Sequence, residues 1–271
     1  MPAGRSANPQ PSDARASASE SPSRAGARHR TILAPLDMYR SDPAELFDLP
    51  FLVSLRTPWP ADWTTEEVIR VLEPFVGERR RARIEEVVAQ RLGSVTVLMD
   101  GPRDPHNAAA VMRSCDAFGV QELHVVPRDE PFVAGKMVAK GTERWVDVVH
   151  HEEPSAAVTA LQARGFELVA SHPAGELEPE ALARIPRVAL IVGHEHDGIR
   201  EELEHAAAHR VRVPMRGFVE SLNVSVAAAL LLRAATEGRP GDLPQEDRRR
   251  LYARGLVRSV PRALDVLAAS R

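Results

Sequence analysis

At 271 residues the chain is long enough for one large domain or two small ones. With 44% hydrophobic residues but only 4% aromatics, its core must be mostly Val, Leu, Ile and Ala. A formal net charge of −3 excludes a uniformly basic nucleic-acid binder, so any RNA-facing surface has to come from local segregation of charge. One cysteine, Cys115, excludes an intrachain disulfide and a cysteine-rich zinc site. No apolar run reaches the length of a bilayer and the N-terminus lacks an apolar signal core, so a soluble, cytoplasmic protein is expected.

Residues 1–30 are Ser, Ala, Pro, Gly and Arg with almost no large apolar side chain. Such a segment cannot bury enough surface to offset its ordering entropy, and is expected to be a disordered, mildly basic tail. Residues 31–77 are apolar but punctuated by proline, and read as an extension or arm of unassigned role packed on the main body. Within it, Phe51–Leu55 suits a short strand, and Thr64-Thr65-Glu66-Glu67 opens a helix that runs to about Phe75.

The main body is expected over 78–271. Residues 78–92 form an amphipathic helix with Ile84, Val87, Val88 and Leu92 on one face. Arg79, Arg80, Arg81 and Arg83 crowd its start, where they oppose the helix dipole; a solvated face and a phosphate-binding role both remain open.

Strands are then expected at Val95–Met99, Glu122–Val126, Phe166–Ala170, Val188–Val192 and Arg210–Val213. Helices are expected at Asn107–Ala117, Pro154–Arg164, Arg200–Ala208 and Ser221–Ala235. Short continuous apolar runs alternating with helices indicate an α/β fold, a mostly parallel sheet with helices on both faces. The C-terminal helices carry Arg250, Arg254, Arg258 and Arg262 at four-residue spacing, a row along one helix side that Pro261 must interrupt. It reads equally as a solvated face or as a stripe for a phosphate backbone.

Neither a G-x-G-x-x-G nor a G-x-x-x-x-G-K-[ST] fingerprint is present, so a dinucleotide fold and a P-loop are unsupported. His194-x-His196 followed by Asp197 is a weak metal signal without a second group of ligands, and no metal is expected. Three other stretches concentrate polar residues at element ends: Pro105–Gly119, Ala189–Ile199 and Val213–Leu232. In the first, Arg113 interrupts an apolar run, where an arginine is costly to bury unless it is paired. In the second, Glu195 sits between two glycines at the end of a buried strand, where α/β sheets place ligands; it could equally cap the next helix. In the third, a Pro214–Gly217 turn leads into Glu220, Ser221, Asn223 and Ser225, which are either ligand-facing groups or ordinary helix caps.

In order, content and spacing these three stretches resemble the signature motifs of the SpoU family of RNA ribose 2′-O-methyltransferases, within the SPOUT superfamily. The resemblance covers about residues 78–268. It is greatest to the branch that methylates guanosine 18 of tRNA, through Arg113-Ser-Cys-Asp-Ala-Phe-Gly-Val, Lys140-Gly-Thr-Glu-Arg-Trp-Val and Ser221-Leu-Asn-Val-Ser-Val-Ala-Ala-Ala. Ala109 stands where the wider family often has glycine, which agrees with that narrower branch.

The resemblance implies a C-terminal trefoil knot, bound S-adenosylmethionine and a homodimer. It implies Arg113, Asn107, Glu195, Ser221 and Asn223 as catalytic positions, and Ser171, Gly193, Val213, Met215, Gly217, Ser221 and Leu222 around the cofactor. RNA would meet Arg79, Arg80, Arg83, His106, Arg250, Arg254 and Arg258. The expected reaction is methyl transfer to the ribose 2′-hydroxyl of tRNA, at guanosine 18. A ribosomal RNA substrate is the alternative within the family, and an inactive RNA-binding relative the alternative outside enzymology. Since a guanidinium scarcely deprotonates, Arg113 is expected to stabilise charge and grip phosphate rather than act as a base.

Overall fold

The apolar runs of the sequence become the middle of a sheet. The computed structural model describes residues 57–128, 144–194 and 197–271. Its strands are β1 (Val95–Asp100), β2 (Glu122–Val126), β3 (Asp147–His150), β4 (Glu167–Ser171), β5 (Val188–Val192) and β6 (His209–Val211). They form one six-stranded sheet in the order β3-β2-β1-β5-β4-β6, with every pairing parallel. β1 and β5 pair at its centre and are buried at every position, as strands covered on both faces must be.

Alternation along the strands divides the core. Val95, Val97 and Met99 point to the face covered by α3 (Pro105–Ala117) and α6 (Val224–Ala235). Leu98, Val126 and Ile191 point to the opposite face, under α4 (Pro154–Ala163) and α5 (Glu201–Ala206). A separate helical cluster joins α1 (Thr65–Leu72), α2 (Glu78–Ala89), α7 (Gln245–Ser259) and α8 (Ala263–Ala269). Trp59, Trp63, Ile69 and Leu72 pack there with Ile84, Leu251 and Leu256, so residues 57–76 do lie against the helices of the main body. α2 and α7 cross tightly at Gly255, where a Cβ would come within 2.6 Å of Ile84.

Helix starts follow their caps. The Thr64 side chain and Glu67 complete a reciprocal capping box at α1. α3 begins at Pro105 rather than Asn107, because Asp104 accepts the His106 N–H at 2.8 Å. α6 begins at Val224 rather than Ser221, because Asn223 is the residue that accepts the Ser225 N–H, at 2.9 Å. β3 is unforeseen from sequence: a four-residue edge strand with polar Asp147 and His150 at its ends gives almost no apolar run. The expected Phe51–Leu55 strand, the tail over 1–30 and most of the 31–77 extension lie outside the described residues.

Candidate functional site

Parallel pairing puts the carboxyl ends of all six strands along one edge, and the strand order reverses between β1 and β5. In open α/β sheets that is where ligands sit. The register brings the strand ends to one level: Asp100 ends β1 beside Val126, Val192 pairs with Met99, and Ser171, one of the predicted residues, pairs with Val211. Gly193 therefore leaves β5 next to Ser171 at the end of β4, while Val213, Met215, Gly217, Ser221 and Leu222 follow β6.

The segment after β6 has no regular structure up to Asn223. No backbone hydrogen bond between described residues uses a peptide group of Val213–Leu222. Peptide groups without a backbone partner among the described residues, together with the short side chains Ser171 and Ser221, form a surface that can hydrogen-bond a nucleoside and an amino-acid moiety. This donor and acceptor set fits S-adenosylmethionine. Phe218 protrudes wholly into solvent from the same segment in the single chain, and Val219 beside it is exposed as well.

Two helix starts meet at this edge. The Asn223 side-chain amide donates to Asn107 Oδ1 at 3.0 Å, while Asn223 Oδ1 accepts from the Ser225 N–H and hydroxyl. Asn223 is thus a helix cap and a tie between the first and third stretches together. Asn107 is half-buried in the first turn of α3, and the preceding His106 is exposed. Arg113 is exposed and does not enter the core, because Val111, Met112 and Cys115 take the buried side of α3. Burial pushes the Cys115 thiol up to about 12, which leaves it an inert packing group.

Glu195 and His196 lie outside the described residues, and the residues on either side of them are joined. His194 and Gly198 exchange backbone hydrogen bonds at 3.0 and 3.1 Å. A Cβ on Gly193 would come within 2.4 Å of the Gly198 carbonyl carbon, and Gly198 itself has φ +68. Only glycine suits both places. His194 Nδ1 faces Asp197 at 3.2 Å, and among the described residues no cluster has the makings of a metal site.

Sequence reasoning missed the group that braces this turn. Asp100 is 1% exposed and accepts from Arg200 Nε at 2.6 Å, the Arg200 N–H at 2.7 Å and Arg128 Nη2 at 2.9 Å. Arg128 also reaches the Gly198 carbonyl at 2.8 Å. Burial alone would raise the Asp100 pKa, but the arginine hydrogen bonds outweigh it and hold the carboxyl below its ordinary value. An acid closing an apolar strand, VTVLMD, is the only local signal of this network.

The arginines expected to meet RNA divide into two groups. Arg79, Arg80, Arg83 and Arg258 are exposed, as that role requires. Arg254 is a correction: α7 turns that side inward, leaving Arg254 only 4% exposed and bonded to Asp147 Oδ1 at 2.9 Å. A guanidinium spent on a buried carboxylate cannot also face a phosphate backbone. Arg250 is half-buried and engaged by Glu246 and Asp247.

Residues 94–233 match the SpoU rRNA Methylase family. The chain is 36% identical over 167 residues to a tRNA (guanosine(18)-2′-O)-methyltransferase of Thermus thermophilus, covering 60% of this chain and 84% of that protein. It is 32% identical over 161 residues to the 23S rRNA (guanosine-2′-O-)-methyltransferase RlmB of Vibrio vulnificus, covering 58% and 64%. The solved TrmH/SpoU tRNA modifying enzyme of Aquifex aeolicus superimposes with a TM-score of 0.59 at 27% identity, over 71% of this chain and all of that one. With the matched segment running from just before β1 to α6, across every element that builds this edge of the sheet, the chain belongs to the SpoU methylase family.

Proposed function

We propose that the protein transfers a methyl group from S-adenosylmethionine to the 2′-hydroxyl of guanosine 18 in tRNA. The observation that carries this is the Asn223–Asn107 contact, which ties the polar loop after β6 to the helix bearing Arg113. Support for tRNA comes from the Thermus relative, of which the chain covers 84%. Ribosomal RNA is the second reading, favoured by the likeness to RlmB.

When bound, S-adenosylmethionine supplies a methyl group on a positively charged sulfur. Ser171, Gly193, Val213, Met215, Gly217, Ser221 and Leu222 would hold it, largely through peptide groups. Asn107 and Asn223 orient the first turns of α3 and α6, the positive ends of the two helix dipoles, which favour negative charge nearby. Side chains on a helix lean toward its N-terminus, so Arg113 leans along α3 toward Asn107. There it grips an RNA phosphate and stabilises the developing charge on the attacking oxygen. Glu195 orients this constellation, and Ser221 contributes a hydroxyl at the loop end.

A second copy of the chain completes the assembly. Val226 and Leu230, one turn apart on α6, are 48% and 47% exposed, and Phe218 of the preceding segment is fully exposed, apolar side chains suited to burial in a homodimer. The C-terminal knot that the family resemblance implies belongs to this reading. A cytoplasmic location follows from the substrate, and no described helix is long and apolar enough to cross a membrane.

The test uses purified protein, labelled S-adenosylmethionine, a tRNA transcript and ribosomal RNA. Label on tRNA that disappears when guanosine 18 becomes adenosine is the expected result. Label confined to ribosomal RNA would keep the chemistry and overturn the substrate.

A further inference from the structure

Away from the cofactor edge, a cleft of about 240 Å³ opens between α2 and the body of the molecule. Ile84, Val88 and Leu251 make an apolar floor, Trp145 forms a wall, and Arg80 and Arg83 stand at the rim. The inner charges are already satisfied. Arg91, 3% exposed, donates to Asp116 and to the Val120 carbonyl. The rim arginines are only lightly engaged: Arg80 Nε meets the Ser259 hydroxyl at 3.1 Å, and Arg83 pairs with Glu86 in solvent. Such an exposed pair is weak and readily exchanged for another anion.

An indole wall, an apolar floor and two cations at one rim match the parts of a nucleotide, a flat base joined to an anionic phosphate. Bases available for stacking on an aromatic side chain are unpaired ones. The cleft also lies at the opposite end of the sheet from the cofactor edge. Asp116 on its wall is nine residues beyond Asn107, roughly 14 Å along α3. Trp145 precedes β3, at the amino ends of the strands. The occupant is therefore a different nucleotide from the one that reacts.

We propose that the cleft between α2 and Trp145 is a second RNA subsite. It takes one unpaired nucleotide of the substrate, with the base against Trp145 and the phosphate between Arg80 and Arg83. This rests on the reading of the protein as an RNA methyltransferase, and it assigns Trp145 a role in holding RNA.

The test compares full-length wild-type protein with W145L, W145F and R80A/R83A, using a tRNA transcript and binding assays at several salt concentrations. W145L should bind tRNA about tenfold more weakly, while W145F, which keeps a stacking ring, stays near wild type. R80A/R83A should flatten the dependence of log Kd on log salt by about 0.7, one single-strand phosphate contact. S-adenosylmethionine binding and melting temperature should be unchanged in all three. A tRNA carrying 4-thiouridine should photo-crosslink to the Trp145 peptide, a readout that a packing role alone would not produce. Wild-type methylation of RNA with undiminished tRNA affinity in W145L would overturn the subsite and leave the activity standing. A wild-type protein that neither binds nor methylates RNA would remove both.

Discussion

The Asn223 side chain caps α6 with its oxygen and reaches Asn107 on α3 with its nitrogen, at 3.0 Å. The two ends of one amide can be tested separately. Asn223→Asp keeps an oxygen for the Ser225 N–H but has no hydrogen to give Asn107. Thermal stability should stay near wild type while methyl transfer falls. Asn223→Ala loses both functions and should also cost about 1 kcal/mol of stability, the usual value of a helix cap. Melting curves beside single-turnover rates separate the two; equal activity in wild type and Asn223→Asp would show that the tie has no part in the reaction.

Arg113 stands exposed on α3, so its removal should leave the fold intact, within about 0.5 kcal/mol. Its proposed work is charge stabilisation, and the turnover of Arg113→Ala should drop by about a hundredfold or more. The affinity for tRNA should fall much less, since on the proposed function other exposed arginines would share the phosphate contacts. Arg113→Lys keeps a charge but not the planar fork, and should recover little. Measuring turnover and Kd on the same preparations checks this, and a loss wholly in Kd would reduce Arg113 to an RNA anchor.

Much of this was legible in the chain because burial writes itself locally. The apolar runs at 122–126 and 188–192 coincide with β2 and β5, and the alternation of strands with helices implied the parallel sheet. What the sequence could not show depends on distant partners. Asp100 meets Arg128 and Arg200, 28 and 100 residues further on, and neither arginine carries a local mark of that pairing. The even four-residue spacing of Arg250, Arg254 and Arg258 likewise concealed that one of them faces inward. Spacing sets which residues share a helix face, and tertiary packing decides whether that face sees water.

The Asp100 network gives an acid-sensitive brace. Because the folded carboxyl titrates below its ordinary value of 3.8, the stabilisation is complete above that pH and is lost as pH falls through the folded value. Asp100→Asn removes the charge at all pH values and leaves two arginines around a neutral amide, an expected loss of about 3–5 kcal/mol. Urea unfolding at pH 7 measures that loss. A matched series toward pH 3 should show a flatter acid limb in the mutant than in wild type.

His151 titrates in a different range. Burial first, then electrostatic repulsion from its neighbours His124, His150 and Arg164, push its pKa down from 6.5 to about 4. Its ring stacks on His124, with centroids 5.1 Å apart, and the facing nitrogens are 2.8 Å apart. Between about pH 6.5 and 4 the unfolded chain binds a proton that the folded one refuses, so stability should fall as pH drops through that window. His151→Gln should remove this part of the slope. Unfolding midpoints at pH 7.5, 5.5 and 4.5 decide it, and parallel pH profiles for both proteins would rule the histidine out.

Arg254 and Arg258 sit one turn apart on α7 and should behave as opposites. Arg254 is 4% exposed on Asp147, whose second oxygen accepts from Gln121 Nε2 at 2.9 Å. Arg254→Ala leaves that carboxylate buried without its cation, and should cost about 3–5 kcal/mol. Arg258 is exposed, and Arg258→Ala should leave stability within about 0.5 kcal/mol. Its loss should instead reduce the salt slope of tRNA binding by about 0.7–0.9, one phosphate contact. Denaturation and salt-dependent binding on both variants make the comparison. A stable Arg254→Ala with a reduced salt slope would return the inner arginine to the RNA-binding stripe, against the geometry of α7.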